Sequence, residues 1–304
     1  MGIELEKYDG RHTRYTCPKC GDSNSFTRFI DTESGVHIDP SVGYCNHKNY
    51  CGYKLSPKDF FRQNPGRRKE MGLDKPSNNE NRKEEKREIN VISMKYLLDS
   101  IKRDSNFTNF LRTIFSEQEV NKAIEDYYIG GDGNLKAMFW QVDKYGRIRA
   151  GKIIGYDPVS GKRDKFVNWA NNILIKKKLL PNDWQPTQCL YGEHLIRKYP
   201  QKPIVIVESE KTAIIMSIFC PEYIWMATGG INNLNDQRIV PIKGYDIKAI
   251  PDLQAFGYWN AKAEEINRNI GSKIIVSDIL EKEATPEQRE QGLDIADFYL
   301  SNKE

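Results

Sequence analysis

Long apolar runs are missing from this 304-residue chain. No stretch reaches the roughly 18 apolar residues that a membrane-spanning helix needs. The start, Met-Gly-Ile-Glu-Leu-Glu-Lys, lacks the apolar core of a secretory signal, so a cytoplasmic location without a membrane partner is expected. Met1-Gly2 does not read as a myristoylation start, because position 6 is Glu rather than Ser or Thr. A phosphate-binding Walker loop is also missing. The nearest stretch, Gly155-x5-Gly161-Lys162-Arg163, is one residue too long and has Arg in place of Ser or Thr, which argues against a fused helicase. From Arg62 to residue 89 there is no aromatic residue, and charged side chains alternate with Pro, Gly and Asn. Such a segment cannot form a core and reads as a linker.

Cysteine is sparse but unevenly placed. Cys189 and Cys220 stand alone and read as small buried hydrophobes. The other four cluster as Cys17-x2-Cys20 and Cys45-x5-Cys51, each pair ending in Cys-Gly. Without a secretory signal, that spacing favours structural Zn²⁺ over disulfides. His47 lies within the wide second gap and is an alternative to Cys45 as ligand. Between the pairs, Phe26–Ile30 and Val36–Ile38 read as two strands joined by a turn at Asp31–Gly35. So small a β-ribbon needs the metal to hold it together.

Charge is also uneven. There are 17 Lys and Arg against 14 Asp and Glu over residues 1–90, 18 against 12 over 91–200, and 11 against 16 over 201–304. A basic middle and an acidic end suit a protein that holds a polyanion and places a metal ion beside it. In the middle part, helical spacing covers Met94–Ile101 and Phe107–Ile114, and the capping box Ser116-x-x-Glu119 opens a third helix. Two strands follow, Met138–Asp143 and Arg147–Tyr156, joined by the turn Lys144-Tyr-Gly146. Arg147, Arg149, Lys152, Lys162, Arg163 and Lys165 lie among aromatics that include Trp140. This mixture suits phosphate contacts and base stacking on a single strand. Strand alternation alone produces the same pattern, with the large residues facing a core and the charges facing water.

The chemistry is concentrated near the carboxyl end. Pro203–Val207 is a buried-strand run leading into Glu208 and then a helix, and Lys248-Ala-Ile-Pro leads into Asp252. Strands of an open parallel sheet deliver functional groups at their carboxyl ends, so Glu208 and Asp252 are expected on one edge, as oxygen ligands for Mg²⁺. An acid at a helix amino terminus is the plainer explanation of Glu208 taken singly.

These stretches resemble a toprim domain. Leu190-Tyr-Gly192 is similar to the helix that opens the toprim segment of bacterial replicative primases, and Trp225–Gly230 to their second strand and Ala-Thr-x-Gly turn. Gly292–Leu300 looks like the late acidic motif. The whole order resembles primase-like toprim proteins of bacterial mobile elements and phages. The resemblance implies an α/β fold, α+β overall. It comprises a zinc β-ribbon (1–61), a charged linker (62–90), a basic mixed α+β core (91–200) and a Rossmann-like, mostly parallel toprim domain (201–304). It further implies Glu208 as the acid closest to chemistry and Asp252 as the principal Mg²⁺ or Mn²⁺ ligand. Lys211 would neutralise a phosphate, and Asp294 would be the late acid, with Asp278 as its competitor. The expected activity is RNA primer synthesis from nucleotides on a single-stranded DNA template, with a replicative helicase acting in trans. The family's second acid of the Asp-x-Asp pair is Gln254 here, and an uncharged amide weakens metal binding. The alternatives are therefore a catalytically weak or inactive toprim DNA-binding or replication accessory protein and, more remotely, a toprim nuclease.

Overall fold

The computed structural model describes residues 2–32, 34–47, 51–64, 66–67 and 90–301. The chain divides into two compact units, residues 1–87 and 88–304. Most of the expected linker lies outside the described residues. No described helix is long and apolar enough to cross a membrane.

The first unit is a four-stranded antiparallel sheet in sequential order: β1 (Ile3–Leu5), β2 (Phe26–Asp31), β3 (Gly43–Cys45) and β4 (Lys54–Leu55). The strand expected at Val36–Ile38 makes one bridge, His37 to Ile30, and β2 pairs instead with β1 and β3. The register explains the difference. Phe26 faces Cys45, so β3 carries a thiol back to the first cysteine pair. Gly35, with φ of 69°, turns the chain after β2 as its sequence suggested. A helix, Pro57–Gln63, closes the unit. Its Ser56 cap accepts from the Asp59 amide, and Phe60 packs against Ile38 and Val42.

The second unit holds two sheets. Helices Met94–Ser100, Asn106–Ile114 and Glu117–Tyr127 come first, the last opened by the Ser116–Glu119 capping box. An antiparallel sheet follows in the order β5 (Ile129–Gly131), β6 (Ala137–Val142), β7 (Ile148–Tyr156) and β8 (Arg163–Trp169). The other sheet is wholly parallel, in the order β10 (Ile224–Ala227), β9 (Ile204–Val207), β11 (Ile247–Ala249) and β12 (Ile274–Val276). Helices Glu210–Phe219 and Phe256–Ile270 make two of its crossovers. The parallel strands are short; β9 and β10 are apolar and buried throughout, as strands covered on both faces must be, while Lys248 of β11 and Ile275 of β12 are exposed.

A single core joins the two sheets: Phe139 and Tyr156 of the antiparallel sheet pack in one cluster with Tyr191, Ile206 and Ala227. The opposite face of the antiparallel sheet is covered too. Trp140, Ile153, Leu97 and Leu174 form a second cluster there. Strands β6 and β7 are consequently buried along their whole length, which alternation alone does not foresee.

Candidate functional site

In the first unit the four cysteines converge. Their sulfurs all lie within 4.8 Å of one another, with Cys17 to Cys51 at 3.6 Å and Cys20 to Cys45 at 3.9 Å. A tetrahedron with Zn–S bonds near 2.3 Å has edges of about 3.8 Å, so these thiols are spaced for zinc rather than for disulfides. Burial raises the Cys17 thiol, yet the amides of Cys20 and Lys19, together with the Cys20 and Cys51 side chains, bring it down to about 7. Cys45, not His47, occupies the fourth corner; the His47 side chain lies beside the cluster, near the Cys20 thiol, with its Nδ1 3.4 Å from Asp22. The arrangement is a four-cysteine zinc ribbon.

In the second unit three carboxylates approach one another from separate segments. Glu208 follows β9 and is buried; its Oε1 accepts from the Asp252 amide at 3.4 Å. Ser209 then caps the next helix by accepting from the Thr212 amide at 3.1 Å, fixing where Glu208 leaves the strand. Asp252 follows β11, the strand beside β9. Burial first, then the charges of Glu208, Asp294 and Asp297, push the Asp252 carboxyl up to about 8. Glu208 is raised by burial and by Asp294, and Asp294 by burial and Asp297. This is the electrostatic signature of acids held together without enough positive charge between them. The Lys211 ammonium, 3.7 Å from Asp297, lowers both Asp252 and Asp294 but does not cancel the repulsion.

Asp294 is held tightly. It accepts from the Thr212 hydroxyl at 2.5 Å, and its main chain and side chain exchange hydrogen bonds with Asp297 at the start of the last helix. Asp278, the competitor, is partly exposed and pairs with Lys282 at 3.0 Å, away from this group. Among the described residues only the cysteines close to within 4.8 Å; the carboxylates stand further apart. Their hard oxygen donors suit Mg²⁺ or Mn²⁺, which retain water in such sites.

The basic residues separate into two sets. Trp140 is fully buried, and its indole N–H donates to Ser100 at 2.8 Å. Its ring crosses Gly151, where a Cβ would come within 2.6 Å, so the stacking surface expected of it is taken up by the core. Arg149 is buried and bonded to Asp143 at 2.8 Å, which also holds Arg147 at 2.8 Å. Lys152 is buried on Glu210 at 3.1 Å and donates to the Gly229 carbonyl at 3.2 Å. These pairings correct the expectation that Arg149 and Lys152 reach a ligand from the surface: each neutralises a buried carboxylate. Lys162, Arg163 and Lys165 are exposed on and before the edge strand β8, beside the partly exposed Phe166, over which Lys136 sits at 4.4 Å.

Asp143, Glu210, Thr212 and Asp297 were not singled out from sequence. Asp297 lies within the Gly292–Leu300 motif, and Glu210 two residues after Glu208. Neither spacing indicates a partner 58 residues away, as Lys152 is for Glu210.

Residues 1–66 match the family model for a zinc beta-ribbon finger, and residues 105–253 match one described as Domain of unknown function (DUF6371). No curated protein matches the chain. The primase fragment of the bacteriophage T7 primase-helicase protein is similar in structure, with TM-score 0.42 and 16% identity over 95% of each chain. The Aquifex aeolicus primase (zinc binding and RNA polymerase domains) is similar with TM-score 0.36 and 12% identity, over 99% of this chain and 85% of that one. A DnaG primase catalytic domain bound to ssDNA gives TM-score 0.36 and 12% identity, over 68% of this chain and 86% of that one.

Proposed function

We propose that this chain is a primase-like nucleotidyltransferase that makes RNA primers on single-stranded DNA, in the replication of a mobile element or phage. One observation carries the reading: beside the carboxyl ends of adjacent parallel strands, burial and then Glu208 and Asp294 raise the proton affinity of Asp252, and burial and Asp294 raise that of Glu208. Asp252 and Asp294 would hold a divalent ion, with Glu208 as a further ligand or as acceptor of the hydroxyl proton. When bound, Mg²⁺ or Mn²⁺ supplies neutralisation of triphosphate charge and activation of the attacking hydroxyl. Lys211 compensates the acids while the site waits and turns to phosphate when a nucleotide arrives. The exposed Lys162, Arg163 and Lys165 grip the template backbone, and the zinc ribbon adds a second grip. In this reading residues 201–304 are a toprim domain, residues 91–200 its basic core, and residues 62–90 the tether of the ribbon (1–61). A replicative helicase would act in trans.

The test is primer synthesis from labelled ribonucleotides on single-stranded DNA with Mg²⁺ or Mn²⁺, comparing wild type with Glu208→Gln. Product from wild type and none from the variant, at equal template binding, is expected. Absence of product from both, with template still bound, refutes primer synthesis. Gln254 favours a second reading in that event, a toprim nucleic-acid-binding protein without polymerising activity.

A further inference from the structure

Gln254 has a left-handed backbone, φ 71°, uncommon for a residue other than glycine, asparagine or aspartate. Its two donors are both engaged by the segment 279–293. The main-chain N–H donates to Glu281 Oε1 at 2.7 Å, and the side-chain Nε2 donates to the Arg289 carbonyl at 2.7 Å. A carbonyl only accepts, so the amide end facing Arg289 is its nitrogen. The same segment is tied within itself and to the neighbouring residue. Arg289 reaches the Glu281 carboxylate at 3.1 Å and also the Glu281 carbonyl, and the Leu253 amide donates to the Leu293 carbonyl at 3.2 Å. One residue further on is Asp294, held by Thr212.

We infer that Gln254 is a positioning residue whose amide fastens the 279–293 segment, so that Asp294 meets Glu208 and Asp252. The inference rests on the metal reading proposed above and deepens it. A carboxylate at position 254 would face the Arg289 carbonyl, two acceptors with no proton between them.

The isosteric change Gln254→Glu and the truncation Gln254→Ala both lose the donor, whereas Gln254→Lys keeps one. The full-length variants and wild type are to be titrated with Mn²⁺ and followed by electron paramagnetic resonance, alongside hydrogen exchange of the 279–293 peptides. We expect exchange about tenfold faster in Gln254→Glu and Gln254→Ala, weaker Mn²⁺ binding in Gln254→Ala, and wild-type protection in Gln254→Lys. Gln254→Ala adds no charge and serves if Gln254→Glu fails to fold. Unchanged exchange in Gln254→Glu and Gln254→Ala overturns the inference. Were wild type to bind no Mn²⁺, the metal reading would fall, while the exchange data would still decide the fastening.

Discussion

Replacing Asp252 by Asn should make the second unit more stable as pH rises, provided divalent ions are absent. The folded protein holds the Asp252 carboxyl up at about 8 against an ordinary 3.8, through burial and then the neighbouring Glu208, Asp294 and Asp297. Because the folded pKa is the higher one, the stability this group contributes is complete below pH 3.8 and is lost as pH rises towards about 8. Each pH unit in that window costs about 1.4 kcal/mol, so the interval from pH 5 to pH 8 costs up to about 4 kcal/mol. For a unit of this size that is on the order of 10 °C in melting temperature. Asn is neutral throughout, so the advantage of Asp252→Asn over wild type should grow by that amount across the interval. All five tryptophans, Trp140, Trp169, Trp184, Trp225 and Trp259, lie in the second unit, so tryptophan fluorescence during thermal unfolding reports on that unit alone. Saturating Mg²⁺ should restore wild-type stability at high pH and do little for the variant. Parallel pH profiles of the two proteins without divalent ions would refute the idea that these acids repel one another.

Other outcomes follow from the pairings. Cys17→Ser with Cys20→Ser should abolish stoichiometric zinc and unfold the ribbon while leaving the tryptophan melting transition unchanged; retained zinc by elemental analysis would contradict the four-thiol site. Arg149→Ala should destabilise the second unit by about 3–5 kcal/mol in denaturant titrations, because it leaves the buried Asp143 with one partner fewer; a change under about 0.5 kcal/mol would mean that the pair is solvated. Alanine at Lys162, Arg163 and Lys165 together should leave stability unchanged, weaken single-strand binding and flatten its salt dependence; an unchanged salt slope in fluorescence anisotropy would place the template elsewhere.

The local features of the chain were legible because they depend on neighbours in sequence. Ser116 and Glu119 form their capping box because the two groups are three residues apart on a helix start. Cys17 and Cys20 share a turn, and the apolar run ending at Val207 is a strand whatever surrounds it. Even Glu208 and Asp252 were placed on one edge, since side-by-side parallel strands present their ends together. Pairings between distant residues were not legible. Trp140 and Lys152 lie on strands β6 and β7, buried on both faces, so alternation cannot tell an outward residue from an inward one. Asp294 rather than Asp278 joins Glu208 because Thr212 and Asp297 hold it there, 82 residues beyond Thr212 in sequence. Gln254 looked like a lost ligand in sequence; only the approach of the Arg289 carbonyl gives its amide a different task. Sequence determined which groups the protein carries and the local turns that aim them. Tertiary structure decided which charges are spent on one another inside the core and which remain free to meet a ligand, because burying a charge forces it to find a partner wherever the fold brings one.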